Sequence, residues 1–532
     1  MRLTRPVRIA AALLAVTAWS AACSSTSPKE PATSARSTTL VVATDSEPTT
    51  LNPLLSYGSD GGSLVFDGLV ARDATNTLVP ALAQAVPEVS ADGRTVTAHL
   101  RPSVVFHDGT PLTADDVVFT YGEILDPAVD TTLRSDLDML EGVSASDAST
   151  VVFKLKYPYA PFLQRLALGI VPKKLLVGTD VNTSSFNQHP VGTGPFVFES
   201  WTPGDRMVLT ANQNYWGTKP TIARMVMAFV DDENTRAQRT QAGEFDAVQL
   251  PPKLAVGFRS NPAYVVHDVP TGDYRGVMVP IGNPVTGDVA VRRALSLAVD
   301  RQALVKGILT GAGEPAFGPI APTSPYADPS TYGSPTADRA AAANMLDQGG
   351  WLVGAGGIRE KGGQKASFTL MYPASDSLRK ELALAVASDA KAVGIEVNPE
   401  GLTWDAIKPR MKDDALIMGW GTPYDPDFIT YKLFRSSFAG VDYFNPGYYN
   451  SPAADADLDA GRTTSDASAR KAAYASLQSQ LRDDVPWVFL TYLRHVYVVK
   501  AGISGVVDRP EPHEHDVANS IWWNAETWSK TS

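Results

Sequence analysis

Cys23 is the only cysteine in 532 residues, so its thiol has no partner within the chain, and its chemistry must be with something outside it. Stability then has to come from core packing and not from disulfides. A second chemically suggestive group is "EPHEHD", where His513, Glu514, His515 and Asp516 alternate two metal-ligand types. They lack a defined two-His-plus-carboxylate spacing, and a solvated C-terminal loop is the expected reading, so no metal is assigned. His99 and His107 alternate with strand or turn residues and are expected to be structural. The chain has no G-x-S-x-G elbow, no H-E-x-x-H helix and no phosphate-binding P-loop. It is therefore expected to be no enzyme and to carry no cofactor.

What positions the thiol lies upstream of it. "MRLTRPVR" carries Arg2, Arg5 and Arg8 without an acid, and fourteen mostly small or apolar residues follow from Ile9 to Ala22. A basic start and a short apolar run make an export leader. The run is too short to span a bilayer core of roughly 30 Å, and no later apolar run reaches about 18 residues. Ser20-Ala21-Ala22-Cys23 resembles a bacterial lipobox, in which the cysteine becomes the lipid-modified first residue, with Ser20 where leucine is commoner. The Ser/Thr/Pro-rich stretch beyond it reads as a flexible tether. The expected division is a leader over 1–22 and a lipidated tether over 23–37, holding the body at the outer face of the cytoplasmic membrane. Losing the three leader arginines takes the formal charge from −11 to −14. An acidic chain without a dense Lys/Arg cluster argues against nucleic acid as a partner.

The body must fold from mixed elements. Leu40 to Ala43 reads as a strand, and Val96, Ala98 and Leu100 alternate with polar neighbours between two Asp-Gly turns. Thr113, with Asp116 three residues on, predicts a helix through Val117, Val118 and Tyr121. "GPFVFESWTPGDRMVLTAN" reads as two strands turning at Pro203-Gly204. Asp288 is placed to cap one helix carrying Val291, Leu295, Ala298, Val305 and Leu309 on one face. Further helices are expected over "SLRKELALAVASDAKAVG", stopped by Gly394, and "SDASARKAAYASLQSQLRDD", with "IEVNPEGLTW" as strand. "WLVGAGGIREKGGQKASFTLMY" reads as a glycine-rich loop within a hairpin, and "PWVFLTYLRHVYVV" as one long strand or a buried pair. No fixed-period repeat occurs, and the class is α/β.

Five segments, in order, carry a likeness to a known family: "ADGRTVTAHLRPSVVFHDGTPLTADDVVFTY", "HPVGTGPFVFESWTPGD" with "NQNYWG", "VRRALSLAVDRQALV", "GWGTPYDPD" and "YYNSPAADADLDAG". Over nearly the whole chain beyond the leader and tether, the sequence resembles the family 5 extracellular solute-binding proteins, the peptide-, nickel- or opine-binding components of ABC importers. The resemblance implies a two-lobed periplasmic-binding-protein-like fold of type II that closes like a clam shell. Its first lobe is enlarged and discontinuous, 38–275 plus 482–532, and its second covers 276–481, with crossings near "GVMVP" and near Asp484 to Trp487. It further implies capture of a solute by hinge closure and delivery to the permease subunits of an importer, by a monomer. The leading solute is an oligopeptide or modified peptide. The alternatives are an oligosaccharide, an opine-like conjugate, a nickel chelate, or service as a receptor for signalling.

Peptide-binding relatives hold the peptide backbone by strand-like hydrogen bonds. Dipeptide-selective ones add an aspartate after "GW" for the ammonium group and an arginine in the other lobe-two segment for the carboxylate. Here Thr422, Pro423 and Tyr424 precede Asp425, so that acid is missing or is supplied by Asp425 or Asp427. Ala374, Ser375 and Asp376 occupy the arginine's neighbourhood, and Arg379 falls in the following helix. The candidate solute contacts are therefore mostly aromatic and polar: Tyr274, Tyr372, Trp404, Trp420, Thr422, Tyr424, Asp425, Tyr443 and Phe444, with Tyr57, Gly58, Ser59 and Asp60 from the first lobe. Trp420 and Tyr424 lead this set, because they sit on the loop that the family uses for ligand.

Overall fold

The apolar run expected as the first strand pairs on both of its edges, at the centre of a large sheet. In the computed structural model, which describes residues 38–61, 63–513 and 519–531, eleven strands make one mixed sheet. In chain order they are β1 (Thr39–Thr44), β2 (Phe196–Thr202), β3 (Arg206–Ala211), β4 (Arg224–Phe229), β5 (Ala247–Leu250), β6 (Tyr264–Met278), β7 (Gly313–Pro315), β8 (Ser367–Pro373), β9 (Glu396–Leu402), β10 (Ala415–Trp420) and β11 (Trp487–Lys500). Across the sheet the order is β9-β8-β10-β6-β11-β5-β1-β4-β3-β2, and β7 pairs with β11 off this path. β1 lies parallel to β4 and β5, and β8 lies parallel to β9 and β10. β6 and β11 pair antiparallel over most of their length. Cys23, the leader, the tether and His515 with its acidic neighbours Glu514 and Asp516 lie outside the described residues.

Side-chain packing divides along β6 and β11. Val269 of β6 and Tyr497 and Val499 of β11 join a core with Leu40, Phe153 and Trp522. Tyr274 and Met278 of β6 pack instead with Trp487, Phe489 and Tyr492 of β11 and with Leu416 and Tyr474. On the other sheet face, Val277 and Val488 join Leu295, Leu370 and Val386. The change of core falls at one level on both strands, where the register breaks between Pro270 and Tyr274. Pro270 has no N–H for the ladder, so a bulge there costs no hydrogen bond. Gly272 is required at the same spot, because a Cβ would lie 2.3 Å from the Thr422 carbonyl carbon. Gly421, at φ 134, reciprocates: a Cβ there would lie 1.9 Å from the Gly272 oxygen. Two backbones thus touch where the two cores meet.

Local signals formed the elements as their chemistry demands. Thr113 and Asp116 make a full capping box on the helix Ala114–Leu125, and Gly394 follows the helix Ser377–Lys391 at φ 86. β2 and β3 turn at Pro203-Gly204 as a hairpin, and "PWVFLTYLRHVYVV" is one strand. The single helix expected after Asp288 is two, Val289–Ala298 and Arg301–Gly307. The Asp300 carboxylate accepts from the Ala303 N–H and starts the second, so Val305 and Leu309 turn to a separate cluster with Leu493. The glycine-rich stretch after Trp351 is a small three-stranded sheet, Leu352–Val353, Arg359–Lys361 and Gln364–Lys365.

Candidate functional site

Two cavities flank the level at which the cores meet. The first, of about 680 Å³, draws Ser59, Asp60 and Arg165 from the first core's side and Trp420, Thr422, Phe428, Lys432 and Phe444 from the second, with His513 between them. Both sizes fall within the range of pockets that hold drug-sized ligands, roughly 300–1,000 Å³, since the second cavity measures about 640 Å³.

Aromatic rings and a small charge cluster shape the first cavity. Trp420, at the end of β10, packs at 5.6 Å from Phe444 and 5.9 Å from His513. Its indole N–H is buried with no acceptor among the described residues. Opposite stand Asp60 and Asp136 with Arg165 and Lys432. Lys432 reaches across to Asp136 at 2.5 Å. Arg165 lies 3.8 Å from Asp136 and 4.0 Å from Asp60, and its guanidinium covers the Phe428 ring at 3.5 Å. The Asp60 carboxylate accepts no hydrogen bond from the described residues and has only that long ion pair. Burial pushes its pKa up, against the pull of Arg165 and Arg72.

The C-terminal segment closes the back of this cavity. Glu511 pairs with the bulge of β6, since the Gly272 N–H donates to its carbonyl at 2.8 Å and its own N–H donates to Pro270 at 3.0 Å. The His513 N–H donates to Gly421 at 3.0 Å. Behind it lies a buried ionic group. Asp273 pairs with Arg275 and with His513 Nδ1 at 2.6 Å, and His495 Nε2 stands 3.8 Å away. Burial would raise the Asp273 carboxyl, but Arg275, His513 and His495 hold it well below the usual carboxylate range. His495 also pairs through Nδ1 with Glu511 at 2.6 Å. Burial opposes its charge, yet the two carboxylates push its pKa up to about 9, so it is a buried imidazolium at neutral pH.

The expected contacts divide by place. Ser59, Asp60, Trp420 and Thr422 line the first cavity together with Phe444. Trp404, 38% exposed, lines the second and packs on Tyr443 at 5.4 Å. Tyr57 is buried in the first core edge-on to Phe66, and Tyr274 is buried among Trp487, Phe489 and Tyr492. Gly58 turns the chain at φ 58, and Tyr372 is half-buried against Gly401. Tyr424 stacks under Arg72 at 3.9 Å and donates to Asn519. Asp425 is held by Arg470 through two bonds of 2.7 Å. Asp427 is held by Arg462 and by the Tyr159 hydroxyl at 2.6 Å. Both carboxylates are therefore committed to buried partners, and neither lines either of these two cavities. Arg165, Asp136 and Lys432 had no signal in the sequence, because their contact depends on two distant segments meeting. His107 is a neutral structural ring, donating from Nε2 to Gly194 and accepting at Nδ1 from Gly192, and burial pushes its pKa down. Among the described residues no group of three or more His, Cys, Asp or Glu is placed to hold a metal, and no helix is long and apolar enough to cross a membrane.

Comparison with known proteins assigns this architecture. Residues 77–441 match the family model described as bacterial extracellular solute-binding proteins, family 5 middle. Protein XP55 of Streptomyces lividans is 46% identical over 95% of this chain and 93% of its own. The oligopeptide-binding protein AppA of Bacillus subtilis is 30% identical over 91% of each. Among solved structures, NikZ from Campylobacter jejuni in complex with Ni(L-His) superposes with a TM-score of 0.82 at 29% identity, over 93% of this chain and all of that one. The B. subtilis AppA complex with a nonapeptide gives a TM-score of 0.76 at 27% identity, over 93% of this chain and 99% of that one.

Proposed function

The chain belongs to the family 5 bacterial extracellular solute-binding proteins, two-lobed type II proteins that capture a solute for an ABC importer, and on that premise we propose that its solute is a short peptide or modified peptide. The observation that carries this reading is the first cavity. Its Trp420 and Phe444 wall suits side chains, and Asp60 presents a carboxylate with no hydrogen-bond donor opposite it. An ammonium group placed there would relieve the burial penalty on Asp60 and complete its long pairing with Arg165. A cavity of about 680 Å³ suits a peptide of a few residues and not a long one. The oligopeptide-binding B. subtilis relative, covered over 91% of its length, supports the same class.

In this reading the lobes are the expected 38–275 with 482–532, and 276–481, with the crossings drawn to about 270 and 493 by the change of core. The change of core membership on β6 and β11 supports a hinge at the Pro270–Tyr274 bulge. A solute touching both lobes binds the closed form best, and closure presents that form to the permease. The protein acts as a monomer anchored through Cys23, without catalysis. Replacing Cys23 by Ala should release it from the membrane fraction, and unchanged fractionation would refute the anchor.

Native mass spectrometry of the protein purified without unfolding, compared with the same sample denatured, tests the solute class. A retained mass that fragments as a peptide supports the proposal. A retained sugar, opine or nickel-bearing mass would replace it.

A further inference from the structure

Each of two arginines lining the second cavity, Arg275 buried and Arg379 half-buried, has an unused edge. Arg275, on β6 just past the bulge, has a side chain only 7% exposed. All of its described hydrogen bonds leave from Nη1, to Asp273, to the Tyr274 carbonyl and, at 3.4 Å, toward His513 Nδ1, while Nε is buried without an acceptor. Arg379, in the first turn of the helix Ser377–Lys391, repeats the pattern. Its Nη1 donates to Asp376, and its Nε is likewise buried and unsatisfied. In both guanidiniums the Nε/Nη2 edge, the one that grips a carboxylate or phosphate through two parallel bonds, has no partner among the described residues. A buried donor without an acceptor is costly, and with the Arg494 Nε, also buried without an acceptor, three such donors in one cavity mark a site that an acceptor would stabilise.

The two charges also face each other. Burial pushes the Arg379 pKa down, and repulsion from Arg275 pushes it further. His513 is depressed by burial and, among its neighbours, by the same two arginines, which brings all three groups to one spot. The other cations lining the cavity are already engaged. Arg236 is saturated by the carbonyls of Val230, Asp231 and Gln249 and by Asp45, Lys253 is paired with Glu381 at 2.5 Å, and Arg494 with Glu314 at 2.6 Å. His495 is matched by Glu511 and Asp273. Asp273 and Asp376 each offset part of the charge on Arg275 and Arg379, but both carboxylates are bound through Nη1 and leave the Nε/Nη2 edges open.

We propose that the Arg275 and Arg379 guanidiniums form an oxyanion subsite in the second cavity and that the solute carries a carboxylate or comparable oxyanion bound between them. Trp404, which also lines this cavity and lies 6.0 Å from the Arg379 guanidinium, walls the group in. Arg275, in the second cavity, approaches His513, in the wall of the first, at 3.4 Å, so the two cavities are separated there by a single side-chain contact. This rests on the peptide reading for the identity of the oxyanion, which there is the free terminal carboxylate, but the subsite itself can be tested without it.

The test uses full-length protein freed of solute by unfolding and refolding, titrated calorimetrically with a mixed tripeptide pool, once as free acids and once as C-terminal amides. The acids should bind at least tenfold more tightly, and Arg379→Gln should abolish that preference. Arg379→Gln keeps the backbone N–H that caps on Asp376, so the helix start survives; Arg275→Gln, inside the Asp273 group, is the second variant. Equal binding of acid and amide by the unmutated protein, or a preference that persists in Arg379→Gln, overturns the proposal. If neither pool binds, the peptide reading fails by itself. The subsite is then judged by thermal shift with inorganic phosphate against chloride at equal ionic strength. A stabilisation lost in Arg379→Gln supports it, and the same response in both proteins refutes it.

Discussion

His495 offers a sharp check on the ionic group at the meeting of the two cores. It is 4% exposed, on β11, with Glu511 at 2.6 Å on one ring nitrogen and Asp273 at 3.8 Å on the other. Its pKa is raised from 6.5 to about 9, so the folded protein holds this proton more tightly than the unfolded chain does. A raised imidazole pKa contributes stability fully below about pH 6.5 and loses it as pH rises through about 9. The span between 6.5 and about 9 is worth about 3 kcal/mol at most. Neither Asp273 nor His513 competes in this window. Asp273 is held well below the carboxylate range, and His513 is pushed below an ordinary imidazole. The protein should therefore lose about 3 kcal/mol of unfolding free energy between pH 6 and 9.5 from this site, measured by urea titration at each pH. His495→Gln should be less stable at pH 6 by a similar amount and should converge with the unmutated protein near pH 9.5. Parallel stability curves for the two proteins across that range would refute a buried imidazolium at this position.

Four other outcomes follow from the same geometry. Trp420→Ala should weaken solute binding by roughly 1–3 kcal/mol in calorimetry, and an unchanged dissociation constant would remove the ring from the site. Asp425→Ala strands the Arg470 charge in the interior and should cost about 3–5 kcal/mol of stability in denaturant titration, whereas Asp425→Ala with Arg470→Leu should recover most of it. If the single variant instead left stability intact and reduced solute affinity, Asp425 would be a ligand anchor after all. Thr113→Ala should remove one arm of the capping box and cost about 1 kcal/mol by the same titration, a loss that a neutral result would contradict. Saturating solute at a hundredfold over its dissociation constant should add about 2.7 kcal/mol to folding stability, read as a rise in thermal midpoint that scales with solute concentration.

Three contacts join segments from the two sides of the cavities. Lys432 bridges to Asp136 at the first cavity, Lys253 bridges to Glu381 at the second, and Tyr159 reaches Asp427. Exposed pairs such as Lys253 with Glu381 contribute little, roughly 0–1 kcal/mol each. The buried Tyr159–Asp427–Arg462 contact is the firmer of these, because its polar groups have already left water.

What the sequence determined by itself was local. The Thr113 capping box, the Pro203-Gly204 hairpin, the Gly394 stop and the buried alternation of Val96 and Ala98 came out as read, because each depends on chemistry within a few residues. The ordered segments from "ADGRTVTAHL" to "YYNSPAADADLDAG" also sufficed for the family, since they sample most of the chain. The site was legible only in part: Asp60, Trp420, Thr422 and Phe444 share a cavity, while Tyr57 and Tyr274 turned into cores. Residue type could not separate these, because a tyrosine suits a core and a cavity wall equally well. Tertiary structure alone decided that Asp425 and Asp427 are spent on Arg470 and Arg462, which follow them by 45 and 35 residues. It also decided that Arg275 and Arg379, over a hundred residues apart, share one cavity with an edge to spare. Whether a charge is free is set by what the folded chain brings within a few ångströms of it, and no run of neighbouring residues carries that information.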